Sequence, residues 1–507
     1  MKKYLFMIVA VITGTLGWSQ NGGPSGLPEF EVKEMEVEAQ LRFLADDMLR
    51  GRRTGSVGND MAATYIAAHL EAYGYQSAEG ANEYFQVIPF LATKPPLSST
   101  MTVNKEDFTF GEDYIIMGGD ASEIKTTAVF ANYGWVDEAE GIDDYADLDV
   151  EGKVVFTLSG YPGANGPVEV LNSMSKKQEL ARARGAVALV EIYKLSFPWD
   201  FFKRYFGGES LRVAEKDKAG NDLVYAWVKN ITGDELYQKL KDGEKVKVKL
   251  SSSGFRSSEI QSKNVLGVLE GTDPELRDEY LLLTAHYDHV GVGEQGGGAY
   301  TEEDSIFNGA RDNAMGTVAL LTAAKAFSQA PPKRSVVVLA VTGEELGLLG
   351  SAYYADHPLI PLEKTIFNLN TDGAGYNDTD YLSVIGFGRT GIDDHIEAAA
   401  AAAGLEVMAD PAPEQNLFDR SDNVSFAQKG VPALTISPGL TSFDEVIAKY
   451  YHQVADEADS VDMGYLLKYC QAYAHLARLV ANDEERPMWK GGDKYEEAGK
   501  ELYKMDK

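Results

Sequence analysis

The chain has 507 residues, 44% hydrophobic and 25% charged, enough for two or three globular units with sizeable cores. Its formal net charge of −31 argues against nucleic acid and anionic membrane surfaces as partners, because both are bound through basic patches. The single cysteine, Cys470, excludes an internal disulfide and a zinc site built from thiolates, so any metal must be held by His, Asp and Glu.

Residues 1–20 place Lys2 and Lys3 before an apolar run that ends in small residues around Gly17 and Ser19. That pattern predicts a cleavable signal peptide and hence a secreted or periplasmic protein. The run is shorter than the roughly 20 apolar residues of a membrane span, so no stable membrane insertion is expected after its removal. A first structural block is expected over residues 27–115. Helical spacing runs through residues 31–49, GRRTG at 51–55 breaks it, and a second amphipathic helix covers 59–73. His69 lies on that helix, far in sequence from every other metal-type residue, and reads as structural.

Across residues 116–255 the texture changes to short β-like runs, among them 126–131, 153–158, 186–192 and 244–250, with no cluster of potential metal ligands. This block reads as a β-rich insertion, after which residues 256–482 return to the first domain. Residues 483–507 are rich in Lys and Glu and read as a charged C-terminal appendage.

Residues 280–372 hold the densest chemistry. Three apolar runs end in metal-type residues: YLLLTA into His286-Tyr-Asp288-His289, SVVVLAVT into Gly343-Glu344-Glu345, and TIFNLN into Thr371-Asp372. Short Val/Leu-rich runs read as buried strands, and an alanine-rich helix over 317–329 lies between the first two. Strand–helix–strand predicts an α/β fold with a mixed, mostly parallel sheet flanked by helices. Ligands bind such sheets at the carboxyl ends of the strands. His286 and Asp288 could act together there, the acid fixing the ring's tautomer while the other nitrogen binds metal. Glu344 and Glu345 are adjacent acids behind a strand that should be buried, which is costly unless a cation compensates. Asp312 serves as a helix cap as readily as a ligand, and Asp372 as a turn residue.

The stretches AHYDHVG, NGARDNAMG, GEELGLLGS, NTDGAG and YHQVADEAD together resemble the M28 zinc metallopeptidases, the aminopeptidase group with a pair of co-catalytic zinc ions. The early GRRTGSVGNDMAATYIA is similar to that family too, and the middle block resembles the protease-associated (PA) domain inserted in many members. The resemblance implies a zinc-peptidase fold, two zinc ions and a peptide substrate read from its N-terminus. It implies that Asp312 bridges the ions, that His286 and Asp372 complete one site, and that Glu345 and His452 complete the other. Glu344 becomes the general base, Asp288 the residue orienting His286, and Tyr451 a hydrogen-bond donor to the developing oxyanion. Arg311 and Met315 depart from the residues usual at their positions without replacing a ligand, and His289 reads as a neighbour of the site. Weaker alternatives are a carboxypeptidase of the same family, a single-zinc glutaminyl cyclase and a non-catalytic binding protein. A serine hydrolase lacks its G-x-S-x-G elbow.

Overall fold

The computed structural model describes residues 27, 30–164, 166–195, 198–214 and 223–505. The leader expected over residues 1–20 lies outside them. Two large sheets organise the chain.

The first sheet has nine strands: β1 (Phe85–Lys94), β2 (Ser210–Val213), β3 (Arg256–Leu269), β4 (Tyr280–His286), β5 (Ser335–Val341), β6 (Thr365–Thr371), β7 (Tyr381–Ile385), β8 (Glu406–Ala409) and β9 (Ala433–Pro438). Their spatial order is β2-β1-β3-β5-β4-β6-β9-β7-β8. The centre, β5-β4-β6-β9, is parallel, while β1, β2 and β3 add antiparallel and β7 runs antiparallel to β9. The sheet is therefore mixed α/β, as the apolar runs predict. Strands β5 and β6 are buried at every position, which explains why β5 reads as an almost unbroken apolar run, while β6 buries Asn368 and Asn370 among its apolar residues.

Side-chain alternation sorts the central strands between two cores. Leu281, Leu283 and Val338 join a core with Val318, Leu320, Leu466 and Leu476. Those last four come from helices α1 (Met315–Gln329) and α2 (Met463–Asn482). Leu282, Val337 and Leu339 face the other way, toward Tyr354 and Phe426. Both faces of the central strands are thus covered.

The second sheet has eight strands drawn from residues 99–252 and its own two cores, one on each face. The strand over Ser99–Val103 pairs there with Val246–Ser252, so this sheet begins just past Pro95 and Pro96, upstream of residue 116. Strand β2, from within the same stretch of chain, instead joins the edge of the nine-stranded sheet beside β1. The C-terminal segment is packed as well as charged: Trp489 is buried in a small core with Phe418 and Ile385, and Arg389 forms a two-pronged ion pair with Asp493 at 2.7 and 2.9 Å.

Candidate metal centre

The carboxyl ends of β4, β5 and β6 deliver His286, Glu344, Glu345 and Asp372 to one edge. Asp312 arrives from the kinked turn that opens α1, and His452 from the loop after a short helix, Glu445–Tyr450. The five residues expected to bind metal meet there, joined by His289, as two groups, His286–Asp312–Asp372 and His289–Asp312–Glu345–His452, with Asp312 common to both. Asp312 turns Oδ1 toward His286 Nε2 at 3.4 Å and Oδ2 toward His452 Nε2 at 3.3 Å. His286 Nε2 also lies 3.0 Å from Asp372 Oδ1, and His452 Nε2 3.0 Å from Glu345 Oε2.

These spacings suit a metal. Two donors each about 2.0–2.1 Å from a tetrahedral zinc stand about 3.3 Å apart. The four donor pairs fall between 3.0 and 3.4 Å. A nitrogen–oxygen set without sulfur is the chemistry of zinc, manganese or cobalt.

Electrostatics points the same way. Burial alone would hold His286 and His452 neutral, yet the surrounding carboxylates raise both well above the ordinary imidazole range. Burial pushes Asp312 up, but hydrogen bonds with the two rings win and hold it well below the usual carboxylate range. Glu345 likewise comes down to about 2 under the influence of His452 and His289. Glu344 goes the other way: burial, with Asp372, Glu345 and Asp422 nearby, raises it well above normal. Two neighbouring glutamates thus take opposite protonation preferences, which is how acid–base roles are separated in active sites.

Supporting contacts fix the donors. His286 Nδ1 meets the main-chain oxygen of Asp288 at 3.2 Å, while the Asp288 carboxylate is 3.8 Å away. That carboxylate accepts Thr54 Oγ1 at 3.0 Å and the Glu344 amide at 3.3 Å, so it also positions the turn that carries the glutamates. Ser421 Oγ donates to Asp372 Oδ2 at 2.5 Å and accepts from Asn370 Nδ2, extending a buried polar chain along β6. Asp456 accepts the amides of Arg311 and Asp312 and so holds the turn bearing the shared carboxylate. Arg311 lies 3.7 Å from the ring centre of Tyr450 and 4.3 Å from that of Tyr376, turned away from the donors. His289 Nδ1 bonds Glu345 Oε1 at 2.7 Å. His69 takes no part: its ring packs edge-on against Tyr65.

A cleft opens over the site, lined by Asp312, Glu344 and Tyr451 together with Leu417, Leu440 and Phe443. Burial raises the Tyr451 hydroxyl to about 12, so it remains a proton donor at any working pH.

Sequence reasoning missed Ser421, Asp456 and Thr54 as supports. Asp456 and Thr54 lie inside stretches already singled out, YHQVADEAD and GRRTG, whereas Ser421 lies outside all of them.

Residues 264–477 match the model of peptidase family M28. A 171-residue stretch is 33% identical to the vacuolar membrane protease of Saccharomyces cerevisiae strain S288c, covering 32% of this chain and 16% of that protein. A 173-residue stretch is 32% identical to the vacuolar membrane protease of Candida albicans strain WO-1, covering 33% and 18%. The chain therefore spans less than a fifth of the length of these curated relatives. Among solved structures it is similar to an aminopeptidase from Aneurinibacillus sp. strain AM-1, with a TM-score of 0.60, 20% identity, and coverage of 90% of this chain and 95% of that one. It is also similar to BSAP, a zinc aminopeptidase from Bacillus subtilis, with a TM-score of 0.52, 19% identity, and coverage of 90% and 98%. At these identities the likeness is one of fold. Residues 264–477, less than half of the chain, thus carry the sequence pattern of peptidase family M28.

The expected secreted or periplasmic location is corrected by these relatives, which are named as membrane proteases of the vacuole. The expectation rested on the two lysines and the apolar run of residues 1–20 alone, a stretch outside the described residues. No helix among the described residues is long and apolar enough to cross a membrane.

Proposed function

We propose that this chain is a zinc metallopeptidase that removes N-terminal residues from peptides, its two donor groups each holding one ion and sharing Asp312. The observation that carries the reading is the placement of the two Asp312 oxygens, one 3.4 Å from His286 and the other 3.3 Å from His452. His286, Asp312 and Asp372 would hold one ion, and Asp312, Glu345 and His452 the other. Bound zinc supplies acidity to a water molecule and polarises a carbonyl.

The remaining work falls to the chain's own side chains. The Glu344 carboxylate takes the proton from the attacking water and returns it to the departing amine, a role suited to a carboxyl group raised by burial. Tyr451 donates its hydroxyl hydrogen to the oxygen that gains charge as the carbonyl is attacked. Asp288 holds the His286 ring through its main-chain oxygen and the Glu344 turn through its carboxylate. Asp312, Glu344, Glu345 and Asp372 all line the cleft, and this concentration of carboxylates favours a substrate's free ammonium end over its carboxylate end. The apolar walls at Leu417, Leu440 and Phe443 offer a place for the first side chain. The eight-stranded sheet is proposed as the inserted protease-associated unit, on the grounds of its separate cores.

The test is a peptide series with free or acetylated N-termini and free or amidated C-termini, run before and after chelation. The reading expects cleavage only where the amine is free, loss on chelation and return with zinc. Cleavage of acetylated peptides from the C-terminus would overturn the aminopeptidase assignment. Full activity after the metal is stripped would overturn the metallopeptidase.

A further inference from the structure

The GRRTG turn brings Arg52 to a place that the proposed chemistry leaves unexplained. Its side chain is 1% exposed, one of the largest fully buried groups in the chain. A buried arginine ordinarily faces a carboxylate. Here the guanidinium instead donates to four main-chain oxygens: Tyr287 at 2.9 Å, Asn308 at 2.5 Å, Gly309 at 2.9 Å, and Leu44. Tyr287 lies between His286 and Asp288 at the end of β4, and Gly309 precedes Asp312 by three residues. The carbonyl of Arg52 in turn accepts the His289 amide at 3.4 Å and Asn59 Nδ2 at 3.1 Å. Two residues on, Thr54 reaches Asp288.

The turn can come this close only because of its glycine. Gly51 has a φ of +64°, and a Cβ there would stand 2.5 Å from the carbonyl oxygens of Gly291 and Phe307. Burial lowers the Arg52 guanidinium to about 10, opposed by Asp288, Asp456, Asp312 and Glu345, so it remains charged at neutral pH.

We propose that Arg52 is the positioning residue of the metal centre: its guanidinium ties the β4 end that carries His286 to the turn that carries Asp312, fixing the distance between the ligands of one ion. This rests on His286 and Asp312 being metal ligands, and it is independent of whether peptides are hydrolysed. Charge and geometry predict opposite signs for its removal. As a fixed positive charge near the site, Arg52 repels a second cation, so deleting the charge alone would tighten zinc binding. As a clamp, its loss lets the ligands separate and weakens binding. Groups that orient metal ligands typically contribute about 10–100-fold in affinity.

The experiment uses the full chain, stripped of metal, with zinc titrated against a fluorescent zinc chelator. Arg52→Gln is expected to weaken zinc binding about 10–100-fold, and Arg52→Lys, which keeps the charge but cannot reach four carbonyls, to weaken it as well. Zinc affinity equal to or tighter than the parent's in Arg52→Gln overturns the proposal, as does a fall in melting temperature with no change in affinity. Should Arg52→Gln prove insoluble, the lysine variant decides by the same criterion. A parent that binds zinc with this Arg52 dependence yet cleaves no peptide would remove the peptidase reading and leave the clamp standing. A parent that binds no zinc would remove both.

Discussion

Replacing Asp312 by alanine should abolish the stabilising effect of zinc at both sites, whereas Glu345→Ala or Asp372→Ala should abolish it at only one. Asp312 points one oxygen into each donor group, while Glu345 belongs to the His452 group and Asp372 to the His286 group. Each ion bound to the folded form alone, at a free concentration about 100 times its dissociation constant, stabilises by about 2.7 kcal/mol. Two sites together give about 5.4 kcal/mol. At about 2 °C per kcal/mol, the low end for chains of 150–250 residues, zinc should raise the melting temperature of the parent by roughly 10 °C. Each single-site variant should keep about half of that rise, and Asp312→Ala close to none. The assay is a thermal melt of each variant with and without zinc, read together with zinc content after dialysis. Comparing each variant with its own metal-free form cancels the change caused by removing a buried carboxylate. The Asp312 backbone amide is held by Asp456, so the turn itself should survive the substitution. An Asp312→Ala variant that keeps half the zinc-dependent shift and one equivalent of zinc would refute the shared carboxylate.

Three further outcomes follow from the same geometry. Tyr451→Phe should lower kcat by about 100-fold or more with little change in KM, measured on a short free-amine peptide, because a single oxyanion donor typically contributes that much. Gly309→Ala should destabilise the chain by at least about 1–2 kcal/mol in urea denaturation, since Gly309 has a φ of +61° and a Cβ would meet the Asp312 carbonyl oxygen at 2.4 Å. His69 is held below the ordinary imidazole range chiefly by burial, so its neutral form is favoured in the fold. The stability this contributes is complete above pH 6.5 and is lost as the pH falls from there through the lower value of the folded state, so His69→Gln should flatten the decline in melting temperature below pH 6.5.

The strand ends were legible because their strands are buried on both faces. An apolar run such as SVVVLAV that stops abruptly at two glutamates marks both the strand and the place where something must balance the acids. The candidate ligand set itself came from the family resemblance, because residue type and order left Asp312 open as a helix cap and Asp372 as a turn residue. Arg52 was not legible in the same way. Its partners are carbonyl oxygens, which every residue possesses, so the contact leaves no trace in the pattern of side chains, and GRRTG reads as a helix break and part of the family resemblance with no role for Arg52. His289 and Asp456 were similarly hidden, since a histidine or aspartate beside a metal site reads alike whether it binds, orients or packs. The extent of the second sheet turns on strand pairing between residues some 150 positions apart, Thr100 with Ser251 for instance, which local texture does not encode. The C-terminal segment reads as charged because its anchors, Trp489 and Tyr495, are isolated among acids and lysines and form no periodic face.

The most direct measurement of the account is the turnover and zinc content of Glu344→Gln. That substitution keeps the shape of the side chain and removes its ability to carry the proton. The purified variant should have the same zinc content as the parent, an unchanged zinc-dependent melting shift, and a kcat on a free-amine peptide lower by about 10²–10⁴-fold, the usual contribution of a general base. A Glu344→Gln chain that turns over peptide at close to the parental rate would contradict it.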